Sequence, residues 1–331
     1  MQVMKIVQIG MGPLGAKMAK MIHERNGIET VASVDINPAL EGRDLGELCG
    51  GEPSQVLIES DLKAAVQRTK PDIAVLTTVS DVQRISKQVK SIVELGIPLV
   101  STCEELSHPW EESPALAKEM DELAKVHGVA ILGTGVNPGF LMDALPTFLT
   151  AVSQDVTEIT VKRYQDAQYR RIPFQQKIGA GLSLEAFEEK KAAGTLRHVG
   201  LTESMQMIAK RMGWQLEGTE DVISPVIAET TIETEAMTIP TGHAAGVRQV
   251  GRAFVGGKVK IELQFQAAVG EPESYDEIII SGQPDIRSRV AGGVNGDIAT
   301  GAITINAIPR VLEASPGLKT MMEISPVSFF S

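Results

Sequence analysis

Gly10-Met11-Gly12-Pro13-Leu14-Gly15 is a G-x-G-x-x-G run set between an apolar, β-branched segment, Lys5–Ile9, and a segment of helical periodicity. Leu14, Met18, Met21 and Ile22 fall on one helix face, and Asn26-Gly27 supplies a helix stop. In a strand–turn–helix unit each glycine has its own reason. The first permits the tight turn, the second lets the backbone approach a pyrophosphate, and the third lets helix and strand pack closely. Pro13 suits an early helix position, where its missing N–H is not needed. The phosphates of a dinucleotide would then meet the positive helix end, with Met11, Gly12, Pro13 and Leu14 around them. Glycine-rich turns join strands to helices in many folds, so context decides. Here Asp35 closes a second β-rich run, Thr30–Asp35, 20 residues after Gly15. A carboxylate at that place accepts hydrogen bonds from both ribose hydroxyls of NAD and repels a 2′-phosphate. Arg43 follows closely and offers a 2′-phosphate a partner, so NAD is the expected cofactor and NADP the alternative.

The alternation continues. Asp72–Thr78 is a near-continuous apolar run of the kind buried on both faces. A helix over Val82–Leu95, a strand over Pro98–Thr102, a helix over Pro114–His127 and a strand over Val129–Gly133 follow. This order predicts an α/β fold, a doubly wound parallel sheet of the Rossmann type, over residues 1–142. A helix over Met142–Val152 follows it. Beyond that, Glu158–Tyr164, Thr230–Thr238, Lys258–Val269 and Glu277–Gly282 are β-rich, interrupted by helices at Leu184–Ala193 and Thr202–Met212. Residues 143–296 are therefore expected to form an α+β substrate domain on a mainly antiparallel sheet. A last helix, Ile298–Leu312, is expected to return residues 297–331 to the first domain.

Composition limits the partners. A chain of 331 residues, 43% hydrophobic, can bury two cores. No apolar run reaches the roughly 18–20 residues that span a bilayer, and the start MQVMKIVQIG enters a strand without the pattern of a leader. A net charge of −11 argues against nucleic acid or an anionic membrane as partner. Two cysteines fit a reducing cytoplasm, and five histidines show no metal-ligand spacing.

Three further places carry candidate chemistry. Thr77, Thr78 and Ser80 follow the Asp72–Thr78 strand, at the sheet edge where ligands bind or in an ordinary Ser80-Asp81 helix cap. Ser101-Thr102-Cys103-Glu104-Glu105-Leu106 releases carboxylates at the end of the next strand. There either Glu104 or Glu105 could stabilise a cationic iminium and move an amine proton, or lie on a solvated turn. Cys103, with no basic neighbour in sequence, reads as a small buried residue lining the site. In Gly133-Thr134-Gly135-Val136-Asn137-Pro138-Gly139-Phe140, Gly135 permits close approach and the Asn137 amide can both donate and accept, as a nicotinamide carboxamide requires. The other reading of this segment is a plain turn. In the second part, Arg163, Arg170 and Arg171, with Tyr169, suit either a substrate carboxylate or a surface ion-pair network. Gly292–Asp297 either caps the final helix or closes a pocket.

The same segments resemble the 2,4-diaminopentanoate dehydrogenase family, relatives of dihydrodipicolinate reductase. GMGPLG, Asp35, STCEEL and GTGVNPGF carry the likeness in the first half. DAQYRRIPFQQKIGAG (166–181), GGVNGDIAT (292–300) and INAIPRVLEASPGL (305–318) extend it over nearly the whole chain. The resemblance implies NAD(P)-dependent, reversible oxidative deamination of an amine, 2,4-diaminopentanoate-like or simple alkyl, to a ketone or aldehyde plus ammonia. It also implies a homodimer built through the second domain and a catalytic glutamate at Glu104, with Glu105 as the alternative. Two other functions stay open on the same scaffold: an ammonia-independent carbonyl or C=C reductase, and a module that senses NAD(H) without turnover.

Overall fold

The computed structural model describes residues 3–170, 172–196 and 198–331. Along the chain come β1 (Met4–Ile9), α1 (Pro13–His23), β2 (Ile28–Val34), α2 (Leu45–Leu48), β3 (Ile58–Glu59), α3 (Leu62–Thr69), β4 (Ile73–Leu76), α4 (Val82–Val93), β5 (Leu99–Ser101), α5 (Pro114–Val126) and β6 (Ala130–Gly133). Then follow α6 (Ala144–Leu149), β7 (Asp155–Asp166), α7 (Ile172–Lys177), α8 (Leu184–Ala192), α9 (Leu201–Met212), β8 (Gly218–Ile227), β9 (Ile232–Glu233), β10 (Thr238–Ile239), β11 (Ala244–Val255), β12 (Lys258–Ala268), β13 (Tyr275–Gln283) and β14 (Ile286–Ala291). The chain closes with α10 (Gly296–Glu313) and β15 (Gly317–Lys319). It divides into two compact units: Met1–Phe140 with Asn295–Ser331, and Leu141–Val294.

The first unit is built on a seven-stranded sheet in the order β15-β6-β5-β4-β1-β2-β3, with every pairing parallel. Strand order reverses between β1 and β4, and in open α/β sheets the crevice at such a switch point is where ligands bind. All four residues of β4 are buried, as its continuous apolar run requires of a strand covered on both faces. Helix α4 shows why the helices lie flat on the sheet. Val82, Ile85, Val89, Ile92 and Val93 are buried along one stripe, and the Asp81 carboxylate accepts the Arg84 N–H to start the helix.

The second unit carries a six-stranded sheet, β14-β13-β7-β12-β11-β8, antiparallel at every step except β12 beside β7. Along β12, Ile261, Leu263 and Phe265 are buried while Lys260, Glu262 and Gln264 alternate on the other face. Helix α9 lies on the Leu263 face, where Gly251 admits it: a Cβ there would stand 3.0 Å from Met205 Cε.

Several sequence expectations need correction. Thr230–Thr238 is not one strand. Two short strands, β9 and β10, pair across a turn that Thr234 closes, its Oγ1 accepting the Met237 N–H at 3.0 Å. The helix expected over Met142–Val152 is shorter, with α6 followed by a 3₁₀ turn over Thr150–Val152. Three strands of the six-stranded sheet escaped the pattern altogether. β11 is buried on both faces along most of its length and so lacks alternation; β8 and β14 are the exposed edges, and β8 contains Pro225, which an edge tolerates.

Candidate functional site

The glycine loop takes its shape from close contacts. Gly10 has φ +90°, and a Cβ on it would meet the Thr77 carbonyl oxygen at 2.8 Å. A Cβ on Gly15 would sit 2.0 Å from the Gly10 carbonyl oxygen, so only glycine lets α1 start this near the turn. Gly12 is different: nothing lies within 4 Å of its would-be Cβ, and as N-cap of α1 it offers no side chain to the first-turn amides. Those amides and that open space form a cradle for an anion. Pro13 and Leu14 open the helix, and Met11 is buried against Ala19, Leu45 and Ile58.

Asp35 holds the loop and the ribose side together. Its Oδ2 accepts the Met11 N–H at 2.5 Å and its Oδ1 accepts the Asn37 N–H at 2.8 Å. Arg43 is exposed. Thr77 acts beneath the loop. Its hydroxyl donates to the Gly10 carbonyl at 2.7 Å and accepts from Gln8 Nε2 at 3.0 Å. Thr78 donates to Gln88 Oε1, the Ser80 carbonyl accepts the Glu105 N–H, and the cap of α4 is Asp81.

At the carboxyl end of β5 the two glutamates separate. Glu105 Oε2 accepts the Val82 N–H at 2.9 Å, the first amide of α4. Glu104 begins the 3₁₀ turn Glu105–Ser107, is half-buried, and its carboxylate accepts no hydrogen bond from a described residue. The turn seats directly on β6, since a Cβ on Gly133 would lie 2.4 Å from the Leu106 carbonyl carbon. Cys103 is fully buried, and burial pushes its thiol far above the usual range. It is no nucleophile.

The segment after β6 packs back on itself. Asn137 is only 6% exposed, yet neither its Oδ1 nor its Nδ2 has a hydrogen-bond partner among the described residues. Buried amides are rarely left so. The open cradle at Gly12, the fixed carboxylate of Asp35 and this orphaned amide fit a nicotinamide dinucleotide.

In the second unit Arg163 faces Asp276 as a cross-strand neighbour of β7 and β13. Its Nε stands 3.7 Å from Asp276 Oδ1, and its Nη2 donates to the Val294 carbonyl at 2.8 Å. Arg163 is 2% exposed, and its Nη1 has no hydrogen-bond partner among the described residues. Burial lifts the Asp276 carboxyl and lowers the Arg163 guanidinium, each against the attraction of the other. Gln165 Nε2 also donates to the Val294 carbonyl. Arg170 Nη1 donates to Gln165 Oε1 while its guanidinium covers the Phe174 ring at 4.1 Å. Tyr169 does not join them, being 86% exposed, and Arg171 lies outside the described residues. His198, one of two histidines that the sequence puts in the second domain, lies against Phe265 with ring centroids 4.6 Å apart and the planes tilted by 48°. Its Nδ1 has no hydrogen-bond partner among the described residues. Among the described residues no group of three His, Cys, Asp or Glu side chains is placed to hold a metal, and no helix is long and apolar enough to cross a membrane.

These two units are of the kind found in nucleotide-dependent dehydrogenases, and residues 4–110 match the dihydrodipicolinate reductase N-terminal family. Residues 140–329 match the 2,4-diaminopentanoate dehydrogenase C-terminal domain. The chain is 31% identical to 2,4-diaminopentanoate dehydrogenase of Acetoanaerobium sticklandii, over 98% of this chain and 94% of that one. This protein belongs to the 2,4-diaminopentanoate dehydrogenase family. It is also 23% identical to an amine dehydrogenase of Streptomyces virginiae over 95% of this chain and 94% of that one. Its fold is that of an amine dehydrogenase from Mycobacterium smegmatis, with TM-score 0.84 and 23% identity, covering 100% of this chain and 98% of the other.

Proposed function

We propose that the protein is an NAD(P)-dependent amine dehydrogenase, which interconverts an amine with a ketone or aldehyde plus ammonia. The observation that carries this reading is Glu104: a half-buried carboxylate at the carboxyl end of β5 that accepts no hydrogen bond from a described residue, while its neighbour Glu105 is tied to Val82. A free carboxylate there takes a proton from the substrate nitrogen and stabilises the positive iminium carbon–nitrogen bond as it forms. The dinucleotide supplies or accepts the hydride. Water then adds to the iminium and ammonia leaves.

The remaining residues bind and orient. The first-turn amides of α1 and the space at Gly12 take the pyrophosphate, with Met11, Pro13, Leu14 and Gly15 shaping the turn. Asp35 takes the ribose hydroxyls. Because both its oxygens are already tied to backbone amides, it does not turn aside for a 2′-phosphate, and NAD is preferred to NADP. Asn137, set off by Gly135, binds the carboxamide. In the second unit Arg163 Nη1 anchors a substrate carboxylate, which favours an amino acid such as 2,4-diaminopentanoate over a simple alkyl amine. Arg170 buttresses Gln165 beside it. The polar sheet face that carries Glu262 and Gln264, where Tyr164 stacks on Tyr275 at 5.0 Å, is the surface a second copy covers in a homodimer. Unpaired Cys49 and Cys103 suit a reducing cytoplasm.

The test is oxidation of NADH and NADPH with a panel of small ketones and aldehydes, each with and without ammonium, and reduction of NAD with 2,4-diaminopentanoate. The reading expects consumption that requires ammonium, and NAD reduction by the diamino acid. Carbonyl-dependent consumption without ammonium would make the protein a carbonyl or C=C reductase instead.

A further inference from the structure

We propose that Thr300 is a positioning residue for the nicotinamide end of the site, acting through the segment that carries Asn137. The inference rests on the reading of Asn137 as the carboxamide partner. It begins from the GGVNGDIAT motif, most of which has a structural duty. Asn295 caps α10, its Oδ1 accepting the N–H groups of Asp297 and Ile298. Thr300, one turn further on, reaches out of the helix instead. Its Oγ1 accepts the Val136 N–H at 3.3 Å, across 164 residues of sequence.

Val136 is buried and immediately precedes Asn137. The segment is thus tied at two points, by the Thr134 N–H donating to the Ser101 carbonyl at 2.8 Å and by the Val136 N–H donating to Thr300. Between and around these ties the backbone is packed to contact. A Cβ on Gly135 would lie 3.6 Å from Thr300 Cγ2, and one on Gly139, at φ +124°, would lie 2.6 Å from the Gly135 nitrogen. An amide side chain with no protein partner would turn toward any available one if its backbone were free to move. The ties keep the Asn137 amide buried and unpaired, ready for a ligand amide.

The next residue of α10 adds a second duty. A Cβ on Gly301 would stand 2.7 Å from Met21 Sδ and 3.4 Å from Met18 Cγ, so α10 presses on the helix that follows the glycine loop. Consecutive residues of one helix therefore touch the Asn137 segment and the phosphate-binding helix. Helix α10 sets the distance between the two ends of the cofactor site.

The experiment compares NADH with ADP-ribose, which lacks the nicotinamide, by fluorescence titration and calorimetry. Thr300→Val keeps the shape and removes the acceptor. It is expected to weaken NADH binding about tenfold, the effect of leaving one buried N–H unpaired, with ADP-ribose binding unchanged. Thr300→Ser restores the acceptor and is expected to bind NADH as the parent does. Asn137→Ala should weaken NADH alone, and the Thr300→Val/Asn137→Ala double variant should be no worse than Asn137→Ala. Equal weakening of ADP-ribose in Thr300→Val, additive losses, or a Thr300→Val variant identical to the parent would overturn the role of Thr300 while leaving Asn137 in place. An Asn137→Ala variant that binds NADH normally would overturn the carboxamide reading itself, and the Thr300 inference with it.

Discussion

Glu105 and Val82 are joined by a 2.9 Å hydrogen bond in which a glutamate side chain caps the helix of a different strand–helix unit. The Glu105 N–H returns a bond to the Ser80 carbonyl. This reciprocal link spends one of two adjacent carboxylates on structure and leaves the other, Glu104, for chemistry. Glu104→Gln is expected to lower amination turnover by about a hundredfold or more, the usual scale for a lost acid–base group, with NADH binding unchanged. Glu105→Gln keeps an acceptor for Val82 and should retain turnover. Glu105→Ala should cost about 0.5–2 kcal/mol of stability, as loss of a helix cap does. Steady-state kinetics and urea unfolding separate the three, and a Glu105→Gln variant as inactive as Glu104→Gln would reverse the assignment.

Two glycines of one loop should fail in different ways. Gly15→Ala places a methyl 2.0 Å from the Gly10 carbonyl oxygen, backbone against backbone, and should unfold or distort the first unit even without a ligand. Gly12→Ala has no neighbour to strike. It should keep the parent's melting temperature and lose dinucleotide binding, because the methyl occupies the space meant for the pyrophosphate. Melting curves with and without NADH distinguish the two.

Such local features were legible in the sequence because their partners lie within one strand–turn–helix unit. The glycines, Pro13 at the helix start, Asp35 after β2 and the alternation along β12 all follow from short-range periodicity and turn chemistry. What was not legible depends on chain pairing. Arg163 and Asp276 become neighbours only because β7 pairs with β13 in one register, and Thr300 meets Val136 only because α10 returns to the first unit. The arginines and Tyr169 form one group in sequence, yet Arg163 is buried while Tyr169, six residues on, is in solvent. Glu104 and Glu105 are chemically identical in sequence. Only the position of α4 tells them apart.

Cofactor choice should turn on Asp35. Its two oxygens each accept a backbone N–H, so a negative charge is fixed where a 2′-phosphate would have to lie. The parent is expected to favour NAD. Asp35→Ser should shift the ratio of kcat/KM for NAD over NADP toward NADP by about tenfold or more, or roughly 1.4 kcal/mol. The loop also loses its Met11 tie, so absolute activity with NAD should fall. A ratio unmoved by the substitution would mean that Asp35 serves the loop alone.

His198 gives the protein a pH dependence whose sign follows from burial. Desolvation first, then the positive charges of Lys177 and Arg163, lower its pKa to about 3 from an ordinary value of 6.5. Its backbone is fixed from both sides by Gln249, which accepts the His198 N–H at 2.6 Å and donates to the His198 carbonyl at 3.1 Å. Between pH 6.5 and 3 the unfolded chain therefore takes up a proton that the native ring refuses. Stability from this residue is full above the unfolded pKa and is lost as the pH falls toward the native one, by up to about 1.4 kcal/mol per pH unit. His198→Gln removes the titration. Urea unfolding at pH 7 and pH 5 should show the parent losing more stability than the variant, and equal losses would mean the native ring titrates like a free histidine.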